Sequence, residues 1–362
     1  MKILKRLAAA LLMIMLVFSF AGCHKKDEIA VKVGDVEFTS AYYMCALINA
    51  DSQAKTIIYE DLTDEEKESS DIDYYSKKVE GEEYVEWVEK TAIDTLKKIA
   101  AYKTLCAENE LEIDEEKKTE AEQYASYYWS SYGYSVYFEP NGVSQATYVK
   151  YMTDSYYSER YFEYIYGKEG EKAIASDKVL ETMYDNFIIA NVIDASFNDE
   201  MTDKDKTELK TKLESYMNDL KNGAKTFEEV YNDYNGVEEK EETETTDTEE
   251  TDEPAPKDKY ASVLGAEDTV YEYEYFEEVE KLKTGEITII EKDDDAGLTL
   301  VVKQDISADP YYAESLDMIS RHIIADQEFE KDIEKYAEKL ETVIEKYAVN
   351  QFKVKKIKQP QY

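Results

Sequence analysis

Phe187-Ile188-Ile189-Ala190-Asn191-Val192-Ile193-Asp194-Ala195-Ser196-Phe197 is the stretch on which the fold turns. Its continuous apolar start, Phe187 to Ala190, reads as a strand. Just before it, Asp177 to Asn186 reads as a short helix. Just after it, Thr202-x-x-Asp205 approximates a capping box and opens a helix with Leu209, Leu213, Tyr216 and Leu220 on one face. Gly223 stops that helix, and Thr226 caps another that carries Phe227, Val230 and Tyr234. From Glu238 to Glu253 there are ten acidic residues, one lysine and otherwise only threonine, closing on Pro254-Ala255-Pro256. So polar and self-repelling a run can bury nothing, and 237–258 is expected to be a disordered insert. Order resumes at Val263-Leu264-Gly265, and a short helix then carries Phe276, Val279 and Leu282. Lys283 to Ile287 leads into a strand, Asp293-Asp294-Asp295 marks a hairpin turn, and Leu298 to Lys303 forms the last strand.

On either side of this region helices dominate. Val31 to Phe38 is a short strand interrupted by Gly34-Asp35, a signal for a tight hairpin or bulge. Thr39 and Ser40 are good N-caps for a helix from Ala41 to about Tyr59, and an acidic loop follows over roughly 61–81. Val85, Val88, Ala92, Leu96, Ile99, Tyr102 and Cys106 step by three and four, predicting a long helix that ends near Asn109. Two more helices, Asp114 to about Ser130 and Ser144 to about Tyr166, are separated by Pro140-Asn141-Gly142. The terminal stripe Phe329, Ile333, Tyr336, Leu340, Val343 and Tyr347 predicts a long helix from about Tyr312 to Val349. Such a stripe needs a partner, and the N-terminal helices are the expected one. The fold class is therefore α+β, with two domains for a chain too long to be served by one core. A helical domain spans 23–180 and is completed by 307–362; an antiparallel-sheet domain spans 187–306.

The N-terminus fixes a compartment. Lys2, Lys5 and Arg6 precede an apolar run from Leu7 to Phe18, which ends at Phe20-Ala21-Gly22-Cys23. That run falls short of the roughly 20 apolar residues a membrane span needs and gives way to His24-Lys25-Lys26-Asp27. It is similar to a lipobox, although Phe20 stands where an aliphatic residue is usual. The expectation is a lipoprotein signal peptide over 1–22, lipidation of Cys23, and a protein held on the extracytoplasmic face of the cell membrane.

The formal net charge is −39, and losing Lys2, Lys5 and Arg6 with the signal peptide takes it to −42. Nucleic acid is excluded as a partner, because neutralising phosphates requires clustered Lys and Arg. His24 and His322 are the only histidines, too few for a histidine-rich metal site or a Ser-His-Asp arrangement. With no C-x-x-C pair and no phosphate-binding glycine motif, neither metal nor cofactor is expected. Cys45 and Cys106 both fall on apolar helical stripes; a buried thiol pair and a disulfide both remain open. The 33 tyrosines recur at helical spacing and read mostly as half-buried packing residues.

Several stretches resemble, in order, foldases of the PrsA and SurA type, which join a helical chaperone domain to a parvulin-type peptidyl-prolyl isomerase domain. Val31-Lys32-Val33-Gly34-Asp35-Val36-Glu37-Phe38-Thr39 is similar to the V-N-G-x-x-I-T opening of the helical domain. The helix over 85–113, running into Glu110-Leu111-Glu112-Ile113-Asp114, is similar to that domain's long helix and acidic cap. Asp219 to Glu229 resembles the parvulin L-x-x-G-x-x-F segment, Leu282 to Thr288 resembles L-K-x-G-E-I-S, and Gly297 to Lys303 resembles the closing G-Y-H-I-I-K-V. The resemblance implies two facing histidines beneath a prolyl ring, within apolar walls. Here those positions fall at Asn191 and Thr299, which are expected to hydrogen-bond across neighbouring strands, and the aromatic wall falls at Tyr275 or Phe276. The expected function is a membrane-anchored foldase or chaperone for unfolded or nascent exported polypeptides, with isomerase activity lost or feeble. An active parvulin isomerase and a structural or solute-binding surface lipoprotein are the alternatives; only 12 glycines argue against doubly wound nucleotide-type loops.

Overall fold

The computed structural model describes residues 27–67, 69, 72–198, 200–237, 258–293 and 296–359. Cys23, the signal segment and residues 238–257 of the acidic insert lie outside the described residues. The fold is α+β. In chain order the main elements begin with β1 (Ile29–Val33), β2 (Val36–Thr39) and α1 (Ser40–Glu60). Two-residue strands β3 (Lys78–Val79) and β4 (Glu82–Glu83) then precede α2 (Tyr84–Glu108), α3 (Glu115–Ser130) and α4 (Gln145–Tyr166). Next come α5 (Ser176–Asn186), β5 (Phe187–Ser196), α6 (Asp203–Lys221), α7 (Phe227–Asn235) and β6 (Ala261–Gly265). The chain ends with α8 (Phe276–Glu280), β7 (Ile287–Glu291), β8 (Gly297–Lys303), α9 (Pro310–Ala337) and β9 (Thr342–Ile344). It divides into two compact units. One comprises Met1–Ile165, Glu169–Glu171 and Gln327–Tyr362; the other comprises Tyr166–Lys168 and Lys172–Asp326.

In the first unit a β1–β2 hairpin turns on Gly34, whose φ of 57° suits glycine. Thr39 caps α1, its hydroxyl accepting from the Tyr42 amide at 3.3 Å. Tyr43 and Leu47 of α1 and Val88 and Leu96 of α2 are fully buried in one apolar core. The C-terminal half of α9 joins this unit: Phe329 packs edge-on against Phe162 at 5.1 Å and stacks on Tyr102 at 5.9 Å. Lys98 reaches Glu330 at 2.6 Å along the same seam. The terminal helix is shorter than its stripe predicted. α9 stops at Ala337, and Thr342-Val343-Ile344 instead pairs antiparallel with the free edge of β1. Two of those three residues are strongly β-branched aliphatics and the third is threonine, so ladder hydrogen bonds to an open strand edge outweigh a weak helical preference.

Cys45 and Cys106 are both free and buried in this unit. Burial pushes both thiols up, that of Cys106 to about 11. A thiol reagent at pH 8 should therefore modify them at least ~10²-fold more slowly than an unfolded cysteine of ordinary pKa. Both should become reactive together when the unit unfolds; one cysteine reacting fast in the folded protein would contradict this packing.

The second unit is built on an antiparallel sheet of order β6-β5-β8-β7, with β5 and β8 central. Both predicted caps form complete capping boxes, Thr202 with Asp205 and Thr226 with Glu229. Strand alternation separates the side chains of β5 onto two faces. Ile193 and Ala195 meet Leu213, Tyr216 and Val230 of α6 and α7 on one face. Ile188 and Ala190 meet Tyr275, Phe276 and Val279 on the other.

Candidate functional site

The register of β5 against β8 decides what the sheet can present. Asn191 lies opposite Val302, while Thr299 lies opposite Asp194. The offset of three residues is odd, so Asn191 and Thr299 project from opposite faces of the sheet. The expected hydrogen bond between them is therefore absent. Asn191, fully buried, donates to Asp258 Oδ2 at 2.8 Å and accepts from the Gln304 side-chain amide. Thr299, also fully buried, donates from its hydroxyl to Asp194 Oδ1 at 2.6 Å.

On the Thr299 face the neighbours form a small polar cluster over an apolar wall. Lys292 Nζ pairs with the same Asp194 Oδ1 at 3.0 Å, while from the opposite, α7 side the Tyr234 hydroxyl donates to the Asp194 main-chain carbonyl at 3.1 Å. Tyr273 brings its hydroxyl beside Thr299 without a hydrogen bond of normal geometry. Burial, more than its neighbours, pushes that phenol up to about 12, so it stays protonated and able to donate. Tyr275 and Phe276, the two alternatives expected for the aromatic wall, are both buried on this face with Ile290 and Val301. The Tyr275 hydroxyl accepts from the Asp293 amide at 3.1 Å. Outside this wall a cleft of about 860 Å³ opens beside Tyr273 and Phe276, rimmed by Glu272, Glu274, Glu277 and Glu278.

Asp194, Lys292 and Tyr273 were not singled out by sequence. Asp194 sits three residues beyond Asn191 in the same strand, and only the cross-strand register reveals that it, not Asn191, faces Thr299. Chemically the cluster holds a hydroxyl already committed to a carboxylate, an ion pair and one free phenol donor. Among the described residues no imidazole lies on either face: the described histidine, His322, is on α9 and pairs with Asp326 at 2.7 Å. Among the described residues no group of His, Cys, Asp and Glu is arranged to hold a metal ion. No described helix is long and apolar enough to cross a membrane.

No protein-family model matches the chain, and no curated protein matches it in sequence. Among solved structures it is similar to the foldase protein PrsA from Lactococcus lactis, with 11% identity and a TM-score of 0.39 over 90% of this chain and 99% of that one.

Proposed function

We propose that this protein is an extracytoplasmic chaperone of the foldase type, anchored through lipid on Cys23, that holds unfolded exported polypeptides without efficient prolyl isomerisation. Residues 23–180 with 307–362 act as the chaperone part, and 187–306 as a parvulin-like part that has lost its catalytic pair. One observation supports the non-catalytic half of this reading: neither central strand carries a histidine, and Asn191 and Thr299, expected as the facing pair, project from opposite faces, so the register expected for them fails. An uncatalysed peptide-bond rotation faces a barrier of ~18–20 kcal/mol, which an isomerase lowers by favouring the twisted amide. Two committed side chains separated by a sheet cannot flank one prolyl ring. The ordered series of resembling segments and the high negative charge, which keeps a client-loaded protein soluble, support the chaperone half.

In a protease-coupled assay on a Xaa-Pro peptide, the soluble 23–362 chain should give no acceleration above the uncatalysed rate. At a few-fold molar excess it should suppress aggregation of a denatured client. Isomerase turnover like that of a two-histidine parvulin would sink the first statement, and unchanged client aggregation the second. Cys23→Ser is expected to move the protein from the membrane fraction to the soluble one, as fractionation followed by immunoblotting would read.

A further inference from the structure

We infer that the second unit takes up one extended strand of an unfolded polypeptide along the edge of β7; the inference rests on the chaperone reading and gives it a location. In an antiparallel ladder, residues alternate between pointing their amide and carbonyl at the partner strand and pointing them away. Lys292 donates to the Gly297 carbonyl at 2.9 Å and Lys303 to the Glu286 carbonyl at 3.1 Å, so Thr288 and Ile290 are the β7 positions that face β8. The main-chain groups of Ile287, Ile289 and Glu291 therefore point out of the sheet, and no described residue hydrogen-bonds to them.

The opposite edge of the same sheet is treated differently. On β6 the outward positions include Ala261 and Gly265, since Ala266 donates to the Asn186 carbonyl at 2.9 Å. The chain closes both of them itself. The Gly265 amide donates to the Tyr271 carbonyl at 2.6 Å, and the Gly265 carbonyl accepts from the Tyr273 amide at 2.9 Å. Ala261 donates to the Asp258 carbonyl at 3.1 Å and accepts from the Tyr312 hydroxyl at 2.7 Å. Along β7 there is neither such cover nor the usual blunting of an edge. The run Ile287-Thr288-Ile289-Ile290 has no proline and no charge, and all five pairs to β8 keep one register without a bulge. The hairpin closes beyond it, where Ala296 donates to the Asp293 carbonyl at 3.0 Å, and Glu291 is paired with Lys210 of α6.

Outward main-chain groups that recur about every 7 Å are met by another extended backbone, whatever its sequence. The flanking side chains set its composition. Ile287 and Ile289 pack with the α6 core, and Ile290 is buried on the α8 side. An added strand lays its alternate side chains beside these, which favours β-branched and aromatic residues and excludes proline. Two occupants from this protein fit poorly. The segment Glu238 to Glu253 contains no apolar residue. A second copy brings the same formal net charge of −39, and five edge residues fall far short of the roughly 20 a side of a stable interface. The occupant is therefore an unfolded segment of another polypeptide, apolar and rich in Val, Ile and Thr.

The test adds to the 23–362 chain a labelled heptapeptide alternating Thr with Val and Ile, and reads hydrogen exchange residue by residue. In the free chain the Ile287, Ile289 and Glu291 amides should exchange freely while those of Thr288 and Ile290 are slow. The peptide should slow the first three at least tenfold. In fluorescence anisotropy the same peptide N-methylated throughout should bind at least tenfold more weakly, equivalent to ~1.4 kcal/mol. Ile289→Pro should weaken the unmodified peptide to a similar degree, because the N–H it deletes points away from the β8 ladder. If that variant does not fold, the exchange and N-methyl measurements decide on the parent chain. Binding that leaves the Ile289 amide unprotected, or equal binding of the N-methylated peptide, would overturn the inference; with client aggregation still suppressed, the chaperone reading would stand. Protection by the peptide in a chain that suppresses no aggregation would keep the edge and remove that reading. Ile287 and Ile289 amides already slow in the free chain would show the edge covered. The cover is a second copy if Ile289→Pro dissociates a dimer in sedimentation, or residues 238–257 if deleting them frees the amides, and either result overturns the inference.

Discussion

Arg321→Leu is expected to destabilise the second unit by about 3–5 kcal/mol, the range for removing one partner of a buried charged network. Arg321 lies on α9 with only 1% of its surface exposed. Its Nε donates to Asp317 Oδ2 at 2.7 Å, one turn earlier, and its Nη1 donates to the carbonyls of Tyr166 at 3.0 Å and Ile174 at 3.3 Å. Leucine keeps much of the apolar bulk but leaves two carbonyls and a carboxylate short of donors, and each orphaned buried group costs about 1–3 kcal/mol. Both tryptophans, Trp87 and Trp129, belong to the other unit, so their fluorescence would miss this loss. Hydrogen exchange of the β5 and β8 amides against urea reads it directly. Adding Asp317→Leu should restore part of the stability, because removing both partners is milder than removing one. A double variant no more stable than Arg321→Leu would show that the orphaned carbonyls alone set the cost.

Asp154→Ala should produce a comparable loss, about 3–5 kcal/mol, in the first unit. The Asp154 carboxylate is 5% exposed and gathers three donors: Lys103 Nζ at 2.6 Å, Lys150 Nζ at 2.7 Å and the Tyr42 hydroxyl at 3.0 Å. Alanine strands the largely buried Lys103 ammonium and one buried phenol, while the exposed Lys150 can turn to solvent. Here Trp87 and Trp129 fluorescence during urea unfolding is the right readout. The loss should also depend on pH with a definite sign. Burial holds the Lys103 ammonium below the usual lysine range, with the Lys150 charge adding to that and the Asp154 charge opposing it. Without Asp154 the folded-state pKa falls further below its unfolded value. The unfolded chain then binds more protons between the two, so stability rises with pH across that window. The deficit of Asp154→Ala relative to the parent should accordingly be fully present at neutral pH and narrow as the solution is made alkaline. A deficit that stays constant as the solution is made alkaline would show that the Lys103 charge does not set the penalty.

Local chemistry was legible where it acts over a few residues. Thr39, Thr202 and Thr226 cap the helices they were expected to cap, because a hydroxyl accepting an amide three residues on needs no distant partner. The strand at Phe187 was legible from its apolar run, and Leu213, Tyr216 and Val230 from their helical spacing. The end of α9 was not. The stripe through Val343 continues the helical period, but the edge of β1 lies more than 300 residues away in sequence and only the fold brings it within hydrogen-bonding reach. The bond from the Lys358 amide to the Asn141 side chain is similar: it joins residues 217 positions apart.

The candidate site divides along the same line. Which residues stand in the two central strands, and that neither strand carries a histidine, follow from the sequence alone. So does the aromatic character of the wall, since Tyr275 and Phe276 precede an apolar helix whichever way it packs. Which strand residues face each other was decided only by the tertiary pairing. A strand shows its side chains with a period of two, so moving the register by an odd number of residues exchanges the faces while every strand assignment remains correct. That parity sends Asn191 to Asp258 and Gln304, brings Asp194, Lys292 and Tyr273 around Thr299, and leaves the sheet without a facing pair.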